Sequence, residues 1–213
     1  MKEQDLKQFF NSSNLMFCVA STEGFFTQLN DSWTKALGWT EEELKSKPFI
    51  EFVHPDDIEK TAAEASRLTT SKGDCVNFIN RYITKNGGYK TLSWNSRIIE
   101  DSYYCVVQDI TKEAKRKEAI EKTSETAKIG SWEVDLMEST VTWSKETYKI
   151  HGYTEEFPEQ NLEDGINFYH PKFRPMVEDC VNTAIQKGTG WNFEAQIITV
   201  TGKKKWVQAI GFV

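Results

Sequence analysis

The sequence predicts an α+β protein in which one antiparallel unit is built twice. Two observations carry this. First, the 213-residue chain repeats itself: LGWTEEE at 37–43 returns as HGYTEEF at 151–157, FVHPDD at 52–57 as FYHPKF at 168–173, and FINRYITKNGGYKTL at 78–92 as FEAQIITVTGKKKWV at 193–207. The matches keep one order at offsets of 114 to 116, and Trp143 is read as the counterpart of Trp33. Second, strand signals stand at both ends of each copy around a helical middle, the order that gives an antiparallel sheet with helices on one face. A period this long is a domain with its own core and not a solenoid repeat.

In the first copy, residues 5–11 read as a helix. The apolar run at 15–20, the Glu23-Gly24 turn and residues 25–30 make a hairpin. Thr40 with Glu43 forms a capping box for a short helix at 41–45. His54-Pro55 is a loop, and Asp56 is expected to cap a helix running to about Thr70, with Ile58, Ala62, Ala65 and Leu68 or Thr69 on one side. Two long strands flank Asn86-Gly87-Gly88, a strong hairpin signal. A last strand at 103–110 closes the copy. This places a first domain at 1–111, a linker at 112–128 and a second domain at 129–213.

The linker KEAKRKEAIEKTSETAK has no Gly or Pro and carries six basic and four acidic residues. Glu113–Lys117 and Glu118–Lys122 stand four apart in the favourable order. A solvated spacer and a helix that pairs with its twin in a dimer both fit. Ile110, Ala114, Ile120 and Ala127 are too few for an autonomous coiled coil.

Composition narrows the function. With 26 Lys+Arg against 32 Asp+Glu, the net charge is −6, and no basic block follows a phosphate backbone, so nucleic acid is a poor partner. MKEQDLKQFF is no signal peptide, and no stretch reaches a membrane span. The four cysteines lack zinc spacing and read as reduced, buried thiols in a cytoplasmic protein.

The phrases NDSWTKALGWTEEEL, FVHPDD, RYITKNGGYKTL and the closing Asp109-Ile110-Thr111 resemble the PAS family, as found in bacterial sensor histidine kinases and cyclic-di-GMP enzymes. IGSWEVDL and WSKETYKIHGYTEE resemble the same family in the second copy. The resemblance implies a five-stranded antiparallel sheet with short helices on one face in each copy. It also implies that the last strand lies in the middle of the sheet. Counting by 115, residue 213 matches Ile98, so the second copy is expected to stop before that strand, as a piece of a longer protein would. In such relatives the Asp-x-Thr phrase ties the last strand to the outgoing helix, which makes Asp109 and Thr111 the expected signal relay. Capping of the linker helix is the plainer role for the same pair.

No catalytic or metal site is expected. His54 and His170 precede proline in matching loops and are expected to bond backbone. His151 stands where the first copy has Leu37. The haem-binding relatives carry their ligand on the long helix, and residues 58–70 hold no histidine. The flavin relatives use an Asn-Cys-Arg-Phe phrase, which none of the cysteines stands in. No cofactor is expected. Asp56-Asp57 and Glu41–Glu43 are read as helix caps. The apolar cup of each copy could hold an unknown small molecule or be filled by its own side chains. The first would be lined by Phe17, Val19, Trp33, Leu37, Ile58, Ala62, Phe78, Leu92, Trp94 and Val106. The second would be lined by Trp132, Val134, Trp143, Tyr148, Ile166, Val181, Phe193 and Val207. The strand at 15–20 is apolar on both faces and needs cover from the N-terminal helix or a second chain. The expected function is a sensory and dimerisation region of tandem PAS domains in a two-component sensor histidine kinase, its output domain beyond residue 213. A diguanylate cyclase output and a non-sensing scaffold are the alternatives.

Overall fold

The computed structural model describes residues 3–71, 73–138, 140–154 and 161–212. The chain divides into two compact units, 1–117 and 118–213. Residues 155–157 of the repeated phrase lie outside the described residues.

Unit 1 runs α1 (Glu3–Ser12), β1 (Met16–Ser21), β2 (Phe26–Leu29), α2 (Asp31–Leu37), α3 (Glu41–Lys45), two 3₁₀ turns (Phe49–Phe52 and Pro55–Asp57), α4 (Ile58–Ser71), β3 (Asp74–Ile83), β4 (Tyr89–Ile99) and β5 (Ser102–Asp109). The sheet order is β2-β1-β5-β4-β3, and every pairing is antiparallel. The last strand in sequence is therefore the middle strand in space. Thr40 and Glu43 form the expected capping box on α3, and Glu43 also takes Lys85 at 2.6 Å. The β3–β4 turn places Gly87 at φ +81, backbone that a side chain would strain.

Strand phase corrects part of the expected lining. Met16, Cys18 and Ala20 face the core, so Phe17 and Val19 point to the other side of the sheet. There the Phe10 ring of α1 stacks on Phe17 at 5.7 Å, which supplies the cover β1 needs. Val106 also faces out, between buried Cys105 and Val107. Side chains alternate along a strand, so a one-residue error of phase moves the whole set. On α4 the inward residues are Thr61 and Leu68, while Ile58 and Ala62 lie on the exposed side. Thr61 is inside because its hydroxyl donates to the Asp57 carbonyl (2.7 Å) and accepts from Asn80 Nδ2 (3.1 Å).

Asp56 and Asp57 are ion-pair residues where the sequence suggests caps. His54 does the capping, its Nδ1 accepting from the Asp56 N–H at 3.1 Å. Asp57 is buried and accepts from Arg81 Nε and Nη2 at 2.8 and 2.9 Å and from the Arg81 N–H at 2.8 Å. This pins the start of α4 to β3.

α5 (Thr111–Ala127) follows β5, about 25 Å long at ~1.5 Å per residue. The division between the units falls inside it. Glu118 and Lys122 pair at 2.7 Å. Toward its end, Lys149 of unit 2 takes Glu125 at 2.8 Å.

Unit 2 continues with β6 (Trp132–Asp135), β7 (Thr140–Trp143), α6 (Lys145–His151), α7 (Leu162–Asn167), α8 (Arg174–Lys187), β8 (Trp191–Ile198) and β9 (Lys204–Gly211). β6 pairs with β7 and β8 with β9 as separate two-stranded sheets. They match β1, β2, β3 and β4, and the position of β5 has no counterpart among the described residues.

The repeat is visible in single hydrogen bonds. The Asn30 N–H donates to the Phe17 carbonyl and Asn30 Oδ1 accepts from the Phe17 N–H. Ser144 and Ser131 reproduce both bonds at an offset of 114. The His54 backbone N–H donates to the Arg81 carbonyl and the His170 backbone N–H to the Gln196 carbonyl, each at 2.8 Å. Gly38 and Gly152 end α2 and α6 at φ +80 and +94. The same equivalence corrects Trp143. Trp33 Nε1 donates to the Phe17 carbonyl, and the residue that bonds the matching Ser131 carbonyl is Thr147, at 2.7 Å. Trp143 ends β7, in the place of Leu29.

Replacing Asp57 by Ala removes the close carboxylate bonds of Arg81, leaving only the longer one to Asp56 Oδ2 at 3.3 Å, and should cost unit 1 about 2 kcal/mol. Arg81 holds the Asp57 carboxyl well below its usual range, outweighing burial. The stabilisation is thus complete above the ordinary carboxylate pKa and is lost as pH falls below it. Urea melts should show the gap between the native chain and Asp57→Ala closing in acid.

Candidate functional site: the β5–α5 junction and the two cups

Asp109 ends β5 and Thr111 opens α5, so both expected relay residues stand where the sheet becomes the helix. Asp109 Oδ1 accepts from the Thr111 N–H at 2.9 Å and from the Thr111 hydroxyl. Thr111 Oγ1 accepts in turn from the Thr91 N–H at 2.9 Å, and the Ile110 N–H donates to the Thr91 carbonyl at 2.9 Å. Asp109 Oδ2 takes Lys90 Nζ at 2.8 Å. Burial raises the Asp109 carboxyl, but Lys90 and the two Thr111 donors outweigh it, leaving the acid ionised below its usual range. The capping role and the fastening role are the same set of bonds. One carboxylate joins the end of the central strand, the next strand and the first turn of the outgoing helix.

Sequence reasoning does not single out Lys90. The signal that could have found it is the repeat: Lys205 stands at the matching place on β9, where its ammonium donates to the Ile150 carbonyl at 2.6 Å.

The first cup is nearly full. Trp33, Leu37 and Leu92 are at most 1% exposed and pack as core, leaving a cavity of about 60 Å³ lined by Phe78, Trp94 and residues of α4. Drug-sized ligands occupy about 300–1,000 Å³, so this space suits only molecules the size of a few waters. Its polar wall is satisfied: Trp94 Nε1 donates to Asn80 Oδ1 at 2.7 Å. The second cup is open, with a cavity of about 570 Å³ lined by Trp132, Val134, Trp143, Ile166, Val181, Phe193 and Val207. Tyr148 does not line it. That ring is buried against Trp143 (5.2 Å) and Tyr153 (5.6 Å).

His151 lies in the wall of the second cup, its Nδ1–H donating to the Thr147 carbonyl at 2.8 Å and its ring 4.3 Å from Trp143. Burial, aided by nearby Lys205, pulls its pKa below the usual value, so the ring is neutral. His54 packs on Tyr89 at 4.3 Å, and His170 Nδ1 accepts from the Lys172 N–H at 3.4 Å. No group of three His, Cys, Asp or Glu among the described residues is placed to hold a metal ion. The β5–α5 junction stores a mechanical connection between sheet and helix.

A family profile described as the PAS fold matches residues 26–110 and 140–213, both copies and most of the chain. The chain belongs to the PAS fold family. A curated relative, "Probable diguanylate cyclase DgcE" of Escherichia coli K12, is 21% identical over 207 residues, covering 89% of this chain. The chain spans 18% of that relative's length. A PAS domain from Colwellia psychrerythraea is 19% identical, with 51% of this chain and 97% of that one covered at a TM-score of 0.47. The PAS domain of the RpfR quorum-sensing receptor from Cronobacter turicensis, solved in complex with BDSF, is 15% identical, with 46% and 96% covered at 0.43. Among the described residues no helix is long and apolar enough to cross a membrane.

Acidification should act on unit 2 through His151. Its folded pKa lies below the unfolded value of about 6.5, so the unfolded chain binds the proton first and stability falls as pH drops through that value. Replacing His151 by Leu, the residue of the first copy, should flatten the melting temperature of unit 2 between pH 7.5 and 5.5 relative to the native chain. Equal slopes for the two proteins would contradict this assignment.

Proposed function

We propose that the chain is the sensory and dimerisation region of a longer signalling protein, arranged as PAS domains at 1–111 and 129–213 joined by a helical linker at 112–128. The Asp109–Thr111–Lys90 junction carries this reading. A change in how β5 sits in the sheet must pass through these bonds to alter α5, and a ligand or partner that favours one packing would shift the population of helix orientations. The filled first cup favours a change in packing or a partner as its input.

Of the outputs compatible with such a region, the diguanylate cyclase type has the curated relative in its favour, while the histidine kinase type rests on the sequence phrases alone. Ile110 just before α5 and Ala114 in its first turn, together with the half-exposed Tyr104 and Val106 on the outer sheet face of unit 1, are the apolar surface offered to a second copy.

In the longer parent, Asp109→Ala should make output independent of the stimulus while unit 1 melts as a folded domain. Light scattering should give twice the chain mass. Undiminished regulation in Asp109→Ala would remove the relay. A monomer at micromolar concentration would remove the dimer.

A further inference from the structure

We propose that Cys105 and Cys18 are a peroxide-responsive dithiol inside unit 1 that closes to a disulfide across β5 and β1. The two residues are direct partners in the antiparallel register of these strands, and both face the core. Facing positions in an antiparallel pair stand about 4.5–5.5 Å apart at Cα, inside the roughly 4.4–6.8 Å that disulfides span. They share one face, so the Cβ vectors are side by side.

The register extends further: Cys75 faces Ser96, and Ser96 faces Cys105. Cys75 is thus two strands from Cys105, roughly 10 Å at ~4.8 Å per strand, too far to bridge. The row selects one pair.

Access is the second observation. Cys105 and Cys75 both line the cavity of about 60 Å³, which admits water-sized molecules and excludes larger oxidants, and only Cys105 has a partner thiol in register. The hydrogen bond from the Cys18 thiol favours the Cys105 thiolate against burial, with Ser96 assisting, whereas burial raises the Cys18 thiol. Burial likewise pushes the Cys75 thiol up to about 11.

The chemistry closes with hydrogen peroxide as oxidant. The Cys105 thiolate attacks one peroxide oxygen and the O–O bond breaks. The departing hydroxide takes the thiol's proton as water, leaving a sulfenic acid. The Cys18 sulfur then attacks Cys105, the S–O bond breaks and a second water leaves with the Cys18 proton. Two thiols are oxidised and one peroxide is reduced to two waters. The new bond locks β1 to the strand that ends at Asp109.

The test uses the whole 213-residue chain, reduced, then treated with one equivalent of hydrogen peroxide, unfolded and alkylated. Two of its four thiols should be lost and recovered with dithiothreitol, and peptide mapping should find Cys18 joined to Cys105 within one chain. Dimedone should label Cys105 in Cys18→Ser, without a cross-link. If Cys75 or Cys180 is consumed while Cys18 and Cys105 remain alkylated, or if the cross-link joins other cysteines, the proposal falls. Peptide mapping of the native chain separates these outcomes even if Cys18→Ser fails to fold.

Discussion

A central strand must satisfy its backbone on both sides, and in unit 1 that strand is β5. It pairs with β1 along one edge and β4 along the other, although it is the last of the five strands to leave the ribosome. Nearly every feature with a functional reading lies on it or beside it. Val107 and Cys105 face the core, Tyr103 donates to the Ala65 carbonyl of α4 at 3.1 Å, and Asp109 fastens the outgoing helix. A helix attached to an edge strand would feel only that edge. Attached here, it is tied to the part of the sheet that cannot shift without disturbing four other strands.

Unit 2 shows the same constraint from the other side. Its two hairpins keep the backbone bonds of their counterparts, from Ser131–Ser144 to His170–Gln196, yet they remain two sheets. The open volume lies where unit 1 has its middle strand, which is why one cup holds about 60 Å³ and the other about 570 Å³. Local turn chemistry shapes the hairpins and caps. Joining them into one sheet is a long-range matter.

The parts of the fold legible in the sequence are those set by local chemistry. Asn86-Gly87-Gly88 marks its turn, Thr40 and Glu43 cap their helix, and Asp109 with Thr111 stands at the expected junction. Phase is harder. LMFCVA is apolar at every position, so alternation gives no inside and no outside, and Phe17 and Val19 lie on the face opposite to the expected one. The small alanines of α4 offer two apolar stripes, and the one chosen by the fold carries Thr61, a polar residue with two partners. Residue type pairs Trp143 with Trp33, while the structure pairs residues by the carbonyl each one bonds. Lys90 is legible only through its repeat partner Lys205, and the Cys18–Cys105 pair depends on strand register, which no window of sequence contains.

The account stands on the claim that α5 begins as part of the sheet and not as a tether after it. Native-state hydrogen exchange on the amides of Thr91, Ile110 and Thr111 measures this directly. If they open with the same free energy as the β4–β5 amides, the helix start and the central strand are one cooperative unit. If they exchange orders of magnitude faster than the β5 amides, as a fraying helix end does, the sheet and the helix are uncoupled and the account is wrong.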